Sequence, residues 1–238
     1  MKTNFWKKYW EDKTNGEHRL QDETFLECES KEKLFHLSGG RSILDFGCGS
    51  ADLLSYYAPL YDMCIGVDGS KSMIEKANER LKHFNRNNVT LAVADDSQLW
   101  EYIRNNFGEN AKFDRITTGQ LIQYLSLEQI DNFISNSKKH LSDKGQICLF
   151  DVVDSRLYHL WRAGLFKSDS LSIKIMIKII ASKLRAVKNA IIQKPKYDLG
   201  YIYPPKIFND LAAKYNFKVS FASSMFYEYR YHVIFENK

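Results

Sequence analysis

Signatures of several special protein classes are missing from this chain of 238 residues. Its four cysteines include no CxxC pair and no Cys/His cluster with zinc spacing, which removes the usual sequence signal for a disulfide framework or a metal site. We therefore expect no metal ion. We also expect Cys28, Cys64 and Cys148 to be small buried or half-buried thiols.

Long apolar segments are also missing. The opening residues MKTNFWKKYWEDK contain no apolar region of the secretory type, and no uncharged run reaches the ~18 residues of a membrane span. There is no internal repeat and no low-complexity tract. Apolar residues make up 44% of the chain and charged residues 26%, as in ordinary globular proteins. We therefore expect a protein of the reducing cytoplasm.

What is present is an alternation of short apolar segments and helical patterns. Strands are predicted at 42–46, 64–67, 89–94, 113–117 and 146–153. Helices are predicted at 52–58, at 70–81 with Ser70 as N-cap, and at 127–141. Strands that are apolar throughout are buried on both faces, as in a parallel sheet with helices on each side. The alternation predicts an α/β fold with a doubly wound, mostly parallel sheet.

Both ends of the chain extend this core. Residues 3–37 predict one or two amphipathic helices, which Ser38-Gly39-Gly40 end. Pro204-Pro205 opens a helix at 206–215, and strands at 217–223 and 229–236 form an expected antiparallel pair that completes seven strands. The predicted organisation is an N-terminal helical segment (1–40), a core (41–154), a basic helical cap insertion (155–200) and a C-terminal part that completes the core (201–238).

The stretch ILDFGCGSADLL, residues 43–54, places two glycines between an apolar strand and a helix. Gly47 and Gly49 lack a Cβ, so a ligand can approach the backbone there. A dinucleotide fingerprint needs a third glycine where this chain has Asp52, whose carboxylate would repel a pyrophosphate. Asp45, just before the glycines, favours a cation instead. A cofactor with an amino group, a sulfonium and a ribose fits better than a dinucleotide, and S-adenosylmethionine is such a molecule.

With these residues the chain resembles the class I S-adenosylmethionine-dependent methyltransferases, over residues 41–153 and more loosely over its last 40 residues. The family's acidic and glycine-rich first motif is matched by residues 45–51, with Ala51 in place of the third glycine. The resemblance implies a Rossmann-like methyltransferase fold. It also implies that the loop containing Cys48 wraps the methionine part of the cofactor.

The resemblance extends to two further acidic positions. Asp68, followed by Gly69, ends the second strand, where a carboxylate can accept both ribose hydroxyl protons. In LAVADDSQL the resemblance implies that Asp95 accepts from the adenine amino group and that the backbone N–H of Asp96 faces the ring. The alternative for Asp68 is a helix-capping or loop aspartate, and for Asp95 a solvated loop acid.

Residues after the fourth strand are expected near the reacting methyl group. By resemblance, Thr118 lies where the methionine portion passes, and Gln123 and Tyr124 lie in the turn that follows. Ordinary helix-start residues are the alternative for that turn. Enzymes that methylate exocyclic amines of DNA bases have two prolines here, whereas this chain has residues TTGQ at 117–120, which argues against that acceptor class.

The catalytic residue is not predicted. Methyl transfer from a sulfonium depends largely on holding acceptor and methyl in line, and a general base helps when the acceptor is a hydroxyl. His159 opens the segment expected to cover the pocket, so it is a candidate that faces the substrate. The candidate bases are His159, His140, His36, His18 and Asp151, none of them preferred. The pair His18-Arg19 is a further candidate for the cofactor carboxylate.

A strongly basic segment distinguishes residues 156–196, which contain ten Lys or Arg and a single acid, Asp169, in a chain of net charge +5. Within it, residues 172–192 predict an amphipathic helix with apolar residues at 173, 177, 180, 184, 187 and 191. Three interpretations stay open: a cap over the substrate pocket, a helix on an anionic membrane surface at the inner face of the membrane, and an RNA-contacting patch.

The C-terminal part gives a weaker resemblance to bacterial small-molecule and glycan methyltransferases, through a Pro-led helix, the turn Asn216-Phe217 and a Tyr/Arg-rich last strand. It implies methyl transfer to a hydroxyl of a small molecule or glycan. The alternatives are an RNA methyltransferase and a noncatalytic cofactor-binding or scaffold protein. The latter is opposed by four intact motif residues, Asp45, Gly47, Gly49 and Asp68. A nicotinamide oxidoreductase is opposed by Asp52.

Overall fold

The computed structural model describes residues 22–37, 39–167, 172–191 and 200–238. At its centre is a seven-stranded sheet with the order β3-β2-β1-β4-β5-β7-β6. The strands are β1 (Ser42–Phe46), β2 (Met63–Asp68), β3 (Val89–Val93), β4 (Phe113–Gly119), β5 (Leu141–Val153), β6 (Phe217–Ser223) and β7 (Arg230–Asn237). The first five are mutually parallel, and β7 is antiparallel to both β5 and β6. The predicted sheet is confirmed.

Helices cover both faces of the sheet. They are α1 (Glu23–His36), α2 (Leu54–Tyr57), α3 (Lys71–His83), α4 (Leu99–Phe107), α5 (Leu127–His140), α6 (Tyr158–Ala163), α7 (Ile173–Ile191) and α8 (Pro205–Lys214). One apolar core lies between the sheet and α4, α5 and α8, and a second lies between the sheet and α2 and α3. Burial on both faces explains why the central strands are apolar throughout.

Local sequence signals account for several element boundaries. Ser70 caps α3 by accepting a hydrogen bond from the Met73 N–H at 3.4 Å, as predicted. Ser126 and Gln129 form a capping box at the start of α5. Helix α4 was not predicted, and its N-terminus has no side-chain cap. It forms because Leu99 and Trp100 are buried against the sheet.

The cysteines divide by position in the fold. Cys64 and Cys148 lie in β2 and β5 and are buried, as expected. Cys28 lies in α1 and is exposed, so the prediction of a buried or half-buried thiol is wrong for this residue. The reason is the orientation of α1. Apart from Leu26, the residues on its buried side are charged or polar, and Cys28 lies on the exposed side.

Candidate active site

A cavity of about 670 Å³ opens at the carboxyl ends of the parallel strands, where ligands bind in open α/β sheets. Its walls include the glycine turn after β1, the end of β2, the loop after β3, the end of β4 and one side of α1. The volume is within the range of small-ligand sites.

The glycine turn is held tightly against the sheet. The backbone N–H groups of Gly47 and Cys48 both donate to the Val67 carbonyl, at 2.7 and 3.1 Å. Gly47 has φ +79°, and a Cβ there would lie 2.9 Å from the Leu121 side chain. Gly49 has φ +54°, and nothing lies within 4 Å of the place a Cβ would take. The first glycine is therefore needed for packing, whereas the second leaves open space beside the backbone.

Asp68 connects this turn to the end of β2. Its carboxylate accepts from the backbone N–H of Gly49 at 3.0 Å and from that of Ser70 at 2.8 Å. Burial raises the pKa of Asp68, and the two backbone hydrogen bonds oppose that rise. Each carboxylate oxygen retains acceptor capacity, so an oriented Asp68 can still accept from two neighbouring hydroxyls of a ligand.

Asp45 is the buried acid beneath the glycine turn. It lies opposite Thr117 in the register of β1 and β4, and the Thr117 hydroxyl donates to its carboxylate at 2.9 Å. Burial raises the pKa of Asp45 to about 7, although the Thr117 hydrogen bond opposes the rise, and the negative charge of Asp68 adds to it. A cation placed in the cavity would lower this pKa and stabilise the ionised carboxylate.

Two acids after β3 line the same cavity. Asp95 accepts from the hydroxyl of Ser97 at 2.6 Å and is therefore held in place within its own loop. Asp96 accepts from the side-chain amide of Gln129 at 2.7 Å. Gly69 lies beside them, since a Cβ on it would be 3.6 Å from the Asp95 Cβ. The structure thus brings together the predicted acids from the carboxyl ends of three neighbouring strands.

A model of a methyltransferase domain matches residues 44–147, which contain all of these positions. The match covers 104 of the 238 residues, so over this core the chain is similar to methyltransferase domains. Among curated proteins it is 27% identical over 145 residues to cyclopropane-fatty-acyl-phospholipid synthase of Escherichia coli, covering 60% of this chain and 34% of that protein. It is 31% identical over 140 residues to ribosomal protein L11 methyltransferase of Thermosipho africanus, covering 58% of this chain and 47% of that protein.

A solved structure shows the same fold. Magnesium protoporphyrin IX methyltransferase from Synechocystis, determined with bound S-adenosylmethionine, superposes on this chain with a TM-score of 0.65 at 12% identity. The superposition covers 100% of this chain and 98% of the Synechocystis chain. The chain spans about a third to a half of the length of the curated relatives it matches.

The residues present fit S-adenosylmethionine as the cofactor. The open space beside Gly49 admits a ligand against the backbone, Asp68 is oriented to accept from ribose hydroxyls, and the buried Asp45 gains from a neighbouring positive charge. Within the described residues, no group of three His, Cys, Asp or Glu side chains is placed to hold a metal ion.

Not every predicted site residue reaches the cavity. Thr117 and Gly119 line it, whereas Thr118 is fully buried outside its lining, because successive side chains of a strand point to opposite faces. Tyr124 lines the cavity. Gln123 does not, and its side-chain oxygen instead accepts from Arg230 at 2.9 Å.

The candidate bases of the sequence analysis have other partners. His159 hydrogen-bonds the Ser182 hydroxyl at 2.9 Å and joins α6 to α7. The His140 ring stacks on Trp100, and the His36 ring contacts that of His232. None of these histidines lines the cavity, and Asp151 does not either. His18 and Arg19 lie outside the described residues, as do the N-terminal aromatic residues.

Glu29 of α1 also lines the cavity. Its partner Lys33 contacts Asp151 of β5, whereas Asp68 and Asp95 follow β2 and β3 on the other side of β1, so Glu29 lies toward the opposite end. It is 2% exposed, and Lys33 lies 3.0 Å from its carboxylate. Burial raises the pKa of Glu29 even though the Lys33 charge opposes the rise, and the charge of Asp151 adds to it. Beside it, Tyr57 lines the same cavity, and its buried hydroxyl has no hydrogen-bond partner among the described residues.

Behind Glu29 lies a buried charge network that joins α1 to β5 and β7. Lys33 is fully buried and lies 2.9 Å from the Asp151 carboxylate and 3.5 Å from that of Glu32. The Glu32 carboxylate lies 3.1 Å from the ring of His232. The carboxylates of Asp151 and Glu29 raise the pKa of Lys33 against the effect of its burial, so it remains an ammonium. The network fixes the helix that presents Glu29.

Sequence reasoning missed Glu29, Tyr57 and Lys33. The one local signal was the spacing of Glu29 and Lys33, four residues apart, which is also the commonest surface ion-pair spacing on a helix. That spacing does not show which side of the helix faces the sheet. Only the position of α1 against Asp151, 118 to 122 residues away in the sequence, turns this pair inward.

Proposed function

We propose that the protein transfers a methyl group from S-adenosylmethionine to a hydroxyl oxygen of a small molecule or glycan. The observation that supports this proposal is one cavity lined by two sets of residues. The acids expected to bind the cofactor lie at one end, and Glu29 and Tyr57 lie at the other. Its volume of about 670 Å³ suits a small acceptor beside the cofactor.

Glu29 is the proposed general base. The cofactor would supply a methyl group on a sulfonium, a reactive centre that needs only an aligned acceptor. With an acceptor in line, its oxygen would bond to the methyl carbon as the carbon–sulfur bond broke, and Glu29 would take the hydroxyl proton. A carboxylate whose pKa is raised by burial is a stronger base than an exposed one. The unpaired Tyr57 hydroxyl is available to orient the acceptor.

The first experiment measures cofactor binding by calorimetry, with S-adenosylmethionine, S-adenosylhomocysteine and NADH as ligands. Asp68→Ala should weaken binding of the first two by ~30-fold, because hydrogen bonds to a charged group contribute about 2 kcal/mol. The matched control is Asp62→Ala, which removes an exposed acid that pairs with Arg41. A folded wild-type protein that binds neither ligand would overturn the proposal and favour a scaffold role.

The second experiment screens acceptors by release of S-adenosylhomocysteine, starting with hydroxylated small molecules and glycans. Glu29→Gln should keep the cofactor affinity and lose most of the turnover, with its remaining activity independent of pH in the range where Glu29 titrates. Glu27→Gln, on the exposed side of the same helix, is the control. Unchanged turnover in Glu29→Gln would remove Glu29 from the chemistry.

RNA methylation is the second candidate, and the basic character of residues 156–196 favours it. It requires binding to RNA that weakens steeply with added salt, because phosphate contacts release counterions. The S-adenosylhomocysteine assay with total RNA as acceptor distinguishes the two candidates directly.

A further inference from the structure

Helix α7 turns an apolar face away from the protein. Ile173, Met176, Ile177, Ile180, Leu184 and Val187 are 48% to 77% exposed. At 100° per residue these six positions fall within one arc of about 100° along the helix. The opposite side contains Ile175, which is buried, and Ser182, which hydrogen-bonds His159 of α6. Helix α7 therefore has one face packed on α6 and a separate apolar face in solvent.

Basic side chains flank this apolar face, which we call the outer face of α7. Lys174, Lys178, Arg185 and Lys188 lie along one side of it, and Lys183 lies along the other. All five are exposed or half-buried, and the helix contains no acidic residue. None of the described residues of α6 or α7 lines the cavity, so the outer face is not turned toward the acceptor.

We propose that the outer face of α7 docks the protein on the surface of an anionic lipid bilayer. Exposed aliphatic side chains between rows of lysine and arginine match a surface with an apolar layer beneath a negatively charged one. Helices in the described part of the chain are too short or too polar to span a bilayer, so this contact lies in the plane of the interface. The inference does not depend on the proposed acceptor.

The exposed aliphatic arc decides between lipid and RNA. RNA contacts need basic and aromatic side chains, and six exposed aliphatic residues would remain in water after the phosphates had bound. A lipid surface removes both the charge and the apolar area from water at once. A lipid surface therefore accounts for both the basic side chains and the exposed aliphatic arc of the outer face.

The test is cosedimentation of the full chain with vesicles of phosphatidylcholine alone or with about 30 mol% phosphatidylglycerol. The double variant Ile177→Asp/Leu184→Asp places two acids in the middle of the outer face. The control Leu60→Asp/Leu127→Asp makes the same change at two positions elsewhere on the surface. Leu60 and Leu127 are 60% and 48% exposed, and Ile177 and Leu184 of the outer face are 60% and 64% exposed. Calorimetry with S-adenosylhomocysteine shows whether each variant retains its folded cofactor site.

We expect binding to the anionic vesicles only, weakened by salt, with a loss of at least ~10-fold in the outer-face variant and little change in the control. Lys174→Gln/Lys178→Gln/Lys188→Gln should reduce the preference for anionic lipid. Equal binding by the outer-face and control variants would overturn the proposal. An absence of vesicle binding would also overturn the proposal. That includes the case in which light scattering shows a dimer formed through the outer face, and the case in which the protein binds RNA but not vesicles.

Discussion

The two ends of the cavity are built in different ways. At the cofactor end, turns at the carboxyl ends of neighbouring strands bring Asp45, Asp68 and Asp95 together, and backbone N–H groups orient Asp68. At the end proposed for the acceptor, Glu29 is held by a buried network of charged side chains from one helix and two strands. The first end depends on local turns and strand register, whereas the second depends on contacts between distant segments.

The difference teaches which substitutions should act on one end of the cavity and which on both. Changes in the network around Lys33 alter the acceptor wall without touching a glycine turn. Changes in the glycine turn disturb cofactor binding and strand packing together, because a Cβ at Gly47 would meet Leu121. The predictions that follow test whether the two ends are energetically separate.

Lys33→Met should have the largest effect on stability. It leaves Glu29, Glu32 and Asp151 buried around a missing cation, and breaking a buried ion pair by removing one partner costs about 3–5 kcal/mol. Urea unfolding at neutral pH measures the loss. Burial raises the pKa of Glu29 and the Lys33 charge opposes that rise, so in the variant stability should fall further as the pH rises above the unfolded-state pKa of Glu29.

Lys31→Met is the control for this comparison, because Lys31 makes only an exposed ion pair with Glu27 and should change stability by less than about 0.5 kcal/mol. If the two ends are separate, folded Lys33→Met protein should keep its affinity for S-adenosylhomocysteine. A matching loss of affinity would show that the network also supports the cofactor end.

Asp45→Asn should have an intermediate effect with a definite dependence on pH. The folded-state pKa of Asp45 is about 7 and its ordinary value is 3.8, so the folded protein binds the proton more tightly and loses stability as the pH rises through this range. Asn removes this loss and can still accept from Thr117. The thermal midpoint of the variant should therefore rise relative to wild type between pH 4 and 7 and then stay level.

The same substitution should weaken binding of S-adenosylmethionine, because the carboxylate that faces the positive charge is gone. Wild type should release a proton on binding the cofactor below pH 7, which calorimetry in buffers of different ionisation enthalpy detects. Parallel stability curves for the two proteins, or the absence of proton release, would contradict this account of Asp45.

Ala51→Gly should have the smallest effect. Ala51 has φ +60° and is fully buried, so glycine removes a backbone strain of about 1 kcal/mol but also deletes a buried methyl of similar value. The net change in unfolding free energy should lie near zero. Ala58→Gly, at an equally buried position with φ −50°, lacks the relief of strain and should cost about 1–2 kcal/mol. Equal losses in both would show that the turn at Ala51 is not strained.

Much of the core was predictable because its signals are local. The strands at Ser42–Phe46 and Phe217–Ser223 lie where the pattern placed them, and Ser70 caps its helix as expected. Helix α4 escaped prediction because it is short and depends on tertiary burial of Leu99 and Trp100. The amphipathic pattern at 172–192 predicted a helix correctly but could not show that its apolar arc faces solvent rather than the pocket.

The sequence by itself determined the seven strands along the chain, the glycine turn and the three acids that line the cavity. It could do so because strand periodicity fixes which residues reach the carboxyl ends of a parallel sheet. Only the tertiary structure decided that Glu29 lines the cavity, that Lys33 is buried and that α7 exposes its apolar arc. Each of these depends on how a helix is rotated about its axis against a partner that is distant in the sequence. The free energy of that packing cannot be predicted from a local sequence pattern.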